Sequence, residues 1–262
     1  MNTGEVFIPL KFEGSDASGI ALGSISSKGA RPYQEDSFGF SSIKKKDAAT
    51  HGFTAVVADG MGGLSDGGAV SKYIVSSLIE LSMSCSADLP TDIFLQSALR
   101  QINYNVVSTD IKGGSTAVTV KCSRKGIYWC TVGDSRVYLL RYGMLTALNA
   151  DSDHINTLLD DVISREMTFR EVQDDPQKDS LEFYIGCGGT ILFDANVRPL
   201  VPKKGDKLLL CSDGVYNAVT DSEMIGVLDH SAAKAAEKLG AAVAAKGFVN
   251  QDNYTAVILE FK

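Results

Sequence analysis

The chain has 262 residues, 44% hydrophobic and 22% charged, with 25 basic residues against 32 acidic ones for a net charge of −7. Those proportions argue against disorder. An acidic balance with no basic run longer than Lys44-Lys45-Lys46 argues against nucleic acid as a main partner, and no apolar run approaches the roughly 18 residues of a membrane span.

The five cysteines, Cys85, Cys122, Cys130, Cys187 and Cys211, are scattered and form no Cys-x-x-Cys pair, so they read as structural thiols of a reducing compartment. Met1-Asn2-Thr3-Gly4-Glu5 has neither the basic nor the apolar region of a signal peptide, and a cytoplasmic location is expected.

In chain order, residues 1–17 read as an arm or an edge strand, and residues 18–262 as one domain. Ile20 to Ser27 alternates small and apolar residues as a strand does. The turn-prone Lys28-Gly29-Ala30-Arg31-Pro32 then delivers Arg31, Glu35 and Asp36 before a second strand-like piece, Ser37 to Ile43. Lys44 to Gly52 reads as a hairpin loop. Phe53 to Ala58 is a buried-strand pattern running into Asp59, and Gly60-Met61-Gly62-Gly63 follows as a flexible elbow.

Helical spacing from Val70 to Leu81, with Asp66 as candidate N-cap, predicts one helix, and Thr91 to Val107 a second. Ser115 to Cys122, Gly126 to Val132 and Ser135 to Tyr142 read as an antiparallel meander. A helix is expected around His154 to Ile163, whereas Arg170 to Ser180 has no convincing periodicity. A weakly ordered stretch of this kind reads as a surface insertion, often a functional lid. Leu208 to Cys211 is apolar throughout and should be a central strand, again ending in an aspartate, Asp213. Asp221 to Leu228 and Ser231 to Lys246 read as helices, and Tyr254 to Phe261 as the last strand, with Asp252-Asn253 at its entrance.

Five acidic sites thus share one placement, at strand ends beside a turn former: Glu35-Asp36, Asp59, Asp134, Asp213 and Asp252. Gathered together they would repel unless cations lay between them. Oxygen donors without histidine or thiolate select a hard ion, Mg²⁺ or Mn²⁺. His51, His154 and His230 have no ligand spacing.

Arg31-x-x-x-Glu35-Asp36, Asp59-Gly-Met-Gly-Gly63, Gly114-Ser115-Thr116, Gly133-Asp134-Ser135-Arg136, Ser212-Asp213-Gly214 and Asp252-Asn253 resemble, in order and spacing, the motifs of the type 2C metal-dependent protein phosphatases, from about residue 20 to the C-terminus. The resemblance implies an α+β fold: a central sandwich of two antiparallel sheets with helices on both outer faces, in four layers. It also implies hydrolysis of phosphoserine or phosphothreonine by a water that two divalent ions, about 4 Å apart, activate. Asp59 would bridge both ions. The Gly60 carbonyl and Glu35 or Asp36 would complete their shells, Asp213 and Asp252 would hold the first ion, and Arg31 would bind the phosphate. Thr116 stands near the metal centre in that family, and Asp134 matches the ligand of a weaker third ion.

Some positions depart from the family pattern. Met61 stands where some members carry a histidine. Asn217 replaces an aspartate of the third site, Leu64 a polar residue. Asp153-His154 looks like a shifted Asp-His element, and from there to about Gly189 the sequence matches little; by the resemblance the stretch of about 151–190 would be a variable flap beside the active site. The expected partners are phosphorylated proteins, targets of a serine/threonine kinase, and the chain is expected to act as a monomer without nucleic acid or membrane. The alternative is a catalytically weak relative that binds a phosphoprotein or regulator. A nucleotide-binding α/β protein fits poorly, because the elbow lacks both Gly-x-Gly-x-x-Gly and a Gly-Lys-Ser/Thr ending.

Overall fold

The computed structural model describes residues 6–61, 66–85, 90–109, 111–152, 154–177 and 180–262. Its strands are β1 (Val6–Ile8), β2 (Ile20–Ser27), β3 (Ser37–Phe40), β4 (Phe53–Ala58), β5 (Ala117–Ser123), β6 (Gly126–Val132), β7 (Arg136–Arg141), β8 (Met144–Ala147), β9 (Asp194–Ala195), β10 (Lys207–Cys211) and β11 (Tyr254–Phe261). The helices are α1 (Lys45–His51), α2 (Gly67–Ser84), α3 (Thr91–Val107), α4 (His154–Ser164), α5 (Phe169–Asp174), α6 (Asp213–Tyr216), α7 (Asp221–Leu228) and α8 (Ala232–Ala245).

Two antiparallel sheets face each other, one in the order β1-β2-β11-β10-β7-β8 and the other β3-β4-β5-β6-β9. Strand alternation explains the four layers. On β4, Ala55 and Val57 point between the sheets with Val118, Leu210, Val257 and Leu259. Val56 and Ala58 point the other way, onto Val70, Ile74 and Leu78 of α2 and Leu95 and Leu99 of α3. On the opposite outer face, Leu209, Ala256 and Ile258 meet Met224 of α7 and Leu239 and Val243 of α8. The central strands are apolar on both faces because helices cover them, which is why β10 is a run without alternation.

Three expectations are corrected. Lys44 to Gly52 is no hairpin loop, since Lys45–His51 is helical; its Ala48 is buried, and Gly52, at φ 74°, ends it. The meander from Ser115 to Tyr142 is broken. β5 pairs with β6, but β7 lies in the other sheet, against β10 and β8. Gly133, at φ 90°, makes this crossover, and its missing side chain leaves room for Thr116. The stretch after Phe169 is also more ordered than its periodicity suggests: a reciprocal capping box between Thr168 and Glu171 starts α5, a signal present in the sequence as Thr-x-x-Glu. The candidate cap Asp66 makes no side-chain cap on α2; it accepts the Lys112 N–H at 3.2 Å instead.

The registers bring the functional ends together. Ser37 pairs with Ala58, Ala117 with Val132, and Cys211 with both Arg136 and Ala256, while Tyr254 pairs with Ser27. Every acidic strand end named from the sequence therefore lies at one end of the sandwich.

Candidate functional site

Asp59 occupies the middle of this end. Its N–H donates to the Thr116 hydroxyl at 3.1 Å and its carbonyl accepts the Thr116 N–H at 2.9 Å. The buried Thr116 hydroxyl in turn bonds Ser135 at 2.7 Å. Thr116 thus fastens the backbone under the aspartate. Gly60 follows in a space that admits no side chain, because a Cβ there would lie 2.6 Å from the carbonyl oxygens of both Glu35 and Gly67. Met61 closes against Gly114, donating its N–H to the Gly114 carbonyl at 2.9 Å. Gly62, Gly63, Leu64 and Asp153 lie outside the described residues.

The Asp59 carboxyl is held well above the ordinary carboxylate range, first by burial and then by the charges of Asp36, Asp213, Asp134 and Asp252. Asp36, only 4% exposed, is pushed up to about 6, mainly by burial, although hydrogen bonds from Ser212 and Thr255 pull the other way. Its Oδ2 accepts the Ser212 hydroxyl at 2.8 Å, while its buried Oδ1 has no hydrogen-bond partner. Asp213 is raised by burial and by Asp252. Four acids around a fifth, with an orphaned buried oxygen among them, form a donor set suited to a hard divalent cation.

The cluster is not a preassembled cage, however: among the described residues, no three His, Cys, Asp or Glu side chains converge tightly enough to enclose an ion. Besides the Ser212 bond to Asp36, internal partners reach Asp252 and Asp213. Arg31 Nη2 lies 2.6 Å from Asp252 Oδ2, and Asn217 Nδ2 donates to Asp213 Oδ2 at 3.3 Å.

Of the sequence candidates, Asp36, Asp59, Asp134, Asp213 and Asp252 come together. Glu35 does not share Asp36's surroundings. Its side chain runs beside Gly68 at the start of α2, and its carbonyl accepts the Ser71 hydroxyl. Arg136 is occupied elsewhere, bidentate on Asp151 at 3.0 and 2.6 Å and stacked 3.8 Å over the Tyr216 ring, whose hydroxyl donates to the Asp134 carbonyl at 3.2 Å. Residues 184 and 185 return beside the site, where Ile185 and Ser115 exchange backbone hydrogen bonds and Tyr184 packs on Gly114.

One organising residue carried no assigned role in the sequence. Asn253, buried, accepts the Glu35 N–H at 2.7 Å and donates to the carbonyls of Lys28 and Tyr33 at 2.8 and 2.9 Å. It clamps both ends of the loop that presents Arg31. Its position after Asp252, at a strand entrance, was the available signal.

A sandwich of this topology with acidic strand ends gathered at one rim defines a class of metal-dependent hydrolases. The family model described as Protein phosphatase 2C matches residues 32–250, a span that holds Asp36, Asp59, Asp134 and Asp213; the chain belongs to this family. It is 29% identical over 240 residues to the serine/threonine phosphatase stp of Listeria innocua, covering 88% of this chain and 91% of that protein. The crystal structure of the Mycobacterium tuberculosis serine/threonine phosphatase PstP/Ppp superposes with a TM-score of 0.72 at 25% identity, over 93% of this chain and 99% of that one. A PstP catalytic domain in complex with two manganese ions shares the fold, with a TM-score of 0.69 at 24% identity, covering 92% and 97% of the two chains. Among the described residues no helix is long and apolar enough to cross a membrane.

Proposed function

We propose that this chain hydrolyses phosphoserine and phosphothreonine in proteins, using Mn²⁺ or Mg²⁺. The observation that carries the reading is the Asp59 carboxyl, raised first by burial and then by four neighbouring acids. Two ions would be held by Asp59, the Gly60 carbonyl, Asp36, Asp213 and Asp252. The orphaned Oδ1 favours Asp36 over Glu35 as the ligand. Asp134, with Asn217, would hold a weaker third ion, because an amide brings no charge. The stp and PstP relatives support the phosphatase activity, and the manganese complex of PstP supports two ions.

When bound, the ions supply Lewis-acid activation of water and neutralise the carboxylates. The chain's own residues do the positioning. Thr116 and Gly60 fix Asp59 from behind. Arg31, half-exposed on a clamped loop, turns from Asp252 to the substrate's phosphate oxygens, where a guanidinium fork stabilises developing charge. The exchange costs little, because an exposed ion pair is worth about 0–1 kcal/mol. Met61 offers no proton, so the leaving alkoxide is protonated from solvent. The flap at about 151–190 borders the site and would read the sequence around the phosphorylated residue. The substrates would be targets of a serine/threonine kinase in the cytoplasm, and residues 18–262 would act as one catalytic domain and a monomer.

The test is phosphate release from a phosphothreonine peptide with Mn²⁺, with EDTA, and in Asp59→Asn. Activity that needs Mn²⁺ and disappears in the variant is expected. Turnover that ignores EDTA or survives the substitution overturns the metal assignment, and no turnover by the wild-type chain with Mn²⁺ favours the phosphoprotein-binding alternative.

A further inference from the structure

We propose that a cavity at the opposite end of the sandwich binds a small organic anion with an apolar body, its charged head on the Lys121 ammonium and its body against Phe94. The cavity measures about 440 Å³ and lies where β4 begins and β5 ends, a strand length of roughly 20 Å from Asp59. That volume suits a small-molecule ligand.

Lys121 is the unusual wall residue. It sits on β5 facing the helices and is 5% exposed. Its Nζ donates to Ser82 Oγ at 2.7 Å and to Thr54 Oγ1 at 3.4 Å and lies 5.0 Å from the Phe94 ring centroid. Both hydroxyls are neutral, and among the described residues no carboxylate pairs with this ammonium. A buried charge normally has a counter-charge or sheds its proton. Here burial pulls the amine down to about 8, so most of the charge is present at neutral pH.

The surroundings favour an anion as a further partner. His51, Arg124 and Lys125 also line the cavity, against Glu13 as the one acidic residue lining it among the described residues. His51 Nδ1 is buried without a hydrogen-bond partner. The 17-residue helix α3 begins here, at Pro90 and Thr91; its N-cap residue, Pro90, makes no side-chain hydrogen bond, and its first turn carries Asp92. Unbonded amides at a helix start attract negative charge. Phe94, Ala48 and Tyr128 supply the apolar surface, which distinguishes this cavity from a site for a bare inorganic ion.

The full chain in EDTA, which removes ions from the acidic rim, is titrated with benzoate, acetate and inorganic phosphate by ligand-observed NMR. Benzoate is expected to bind saturably and at least about tenfold more tightly than the other two. Lys121→Met should weaken it by about tenfold or more, as loss of a buried charge partner does. Arg124→Ser should weaken it a few-fold, and Arg31→Ala should leave it unchanged. Lys121→Gln, which keeps a hydrogen-bonding head, separates loss of charge from loss of fold, and circular dichroism checks all variants. Absence of saturable benzoate binding, equal binding of all three anions, undiminished binding in folded Lys121→Met and Lys121→Gln, or loss in Arg31→Ala would each overturn the proposal.

Discussion

Replacing Asp36 by asparagine should stabilise the metal-free protein at neutral pH while crippling its response to manganese. In the fold the Asp36 carboxyl titrates at about 6, against 3.8 for an ordinary aspartate, with burial as the main cause. A folded value above the unfolded one means that the native state binds the extra proton. The stability cost is therefore absent below pH 4, grows between pH 4 and 6, and is fully present above 6. Two pH decades at about 1.4 kcal/mol each make that cost about 3 kcal/mol. Asparagine keeps the acceptor for the Ser212 hydroxyl but leaves an amide without a partner, a loss of about 1 kcal/mol.

The net expectation in EDTA is a gain of about 2 kcal/mol for Asp36→Asn at pH 8, shrinking to nothing or a slight loss at pH 4. Urea midpoints measured across that range test it. With Mn²⁺ the order should reverse at pH 8, because the wild-type carboxylate gains a counter-charge and the amide gains less. A difference between the two proteins that stays constant from pH 4 to 8, or an EDTA-treated wild type as stable as the variant at pH 8, would refute the reasoning.

Other consequences are open to direct measurement. Gly60→Ala should cost about 1–3 kcal/mol in urea unfolding, because its Cβ would meet two carbonyl oxygens at 2.6 Å, and should raise the Mn²⁺ concentration needed for activity. Asn253→Ala removes three hydrogen bonds from the Arg31 loop; a loss of about 2 kcal/mol is expected, with KM for a phosphopeptide rising more than kcat falls. Lys121→Met should stabilise the ligand-free protein by up to about 3 kcal/mol at pH 7, since an amine lowered from 10.5 to about 8 carries its full cost below pH 8. That advantage should fade as pH rises from 8 towards 10.5, and a pH-independent urea midpoint difference would count against it.

Much of the molecule is legible in local sequence. The apolar runs of β4 and β10 read as buried strands, Tyr254 to Phe261 as the last strand, and the 3.6-residue spacing of α2 and α3 as helices, because burial against a second layer imposes a period that composition must obey. The acidic strand ends are legible for a similar local reason: aspartate beside glycine marks a turn, wherever the strand goes next. What those ends meet is not local. Gly133 sends β7 into the other sheet, so the sheet that presents Asp134's neighbours follows from a crossover that adjacent strands do not announce.

Asp36 rather than Glu35 enters the cluster because adjacent residues at a strand entrance face opposite ways, and only packing against Ser212 and α2 decides which faces in. Arg31's contact with Asp252 spans 221 positions of sequence. Lys121 is enclosed by α2 and α3, through Ser82 and Phe94, a setting the strand pattern does not announce. The sequence by itself determined the repertoire of elements and the inventory of acids, because those depend on neighbours in the chain. The tertiary structure alone decided which acids share one low-dielectric space and which lysine is enclosed among neutral hydroxyls, because burial and Coulomb interactions depend on distance through space.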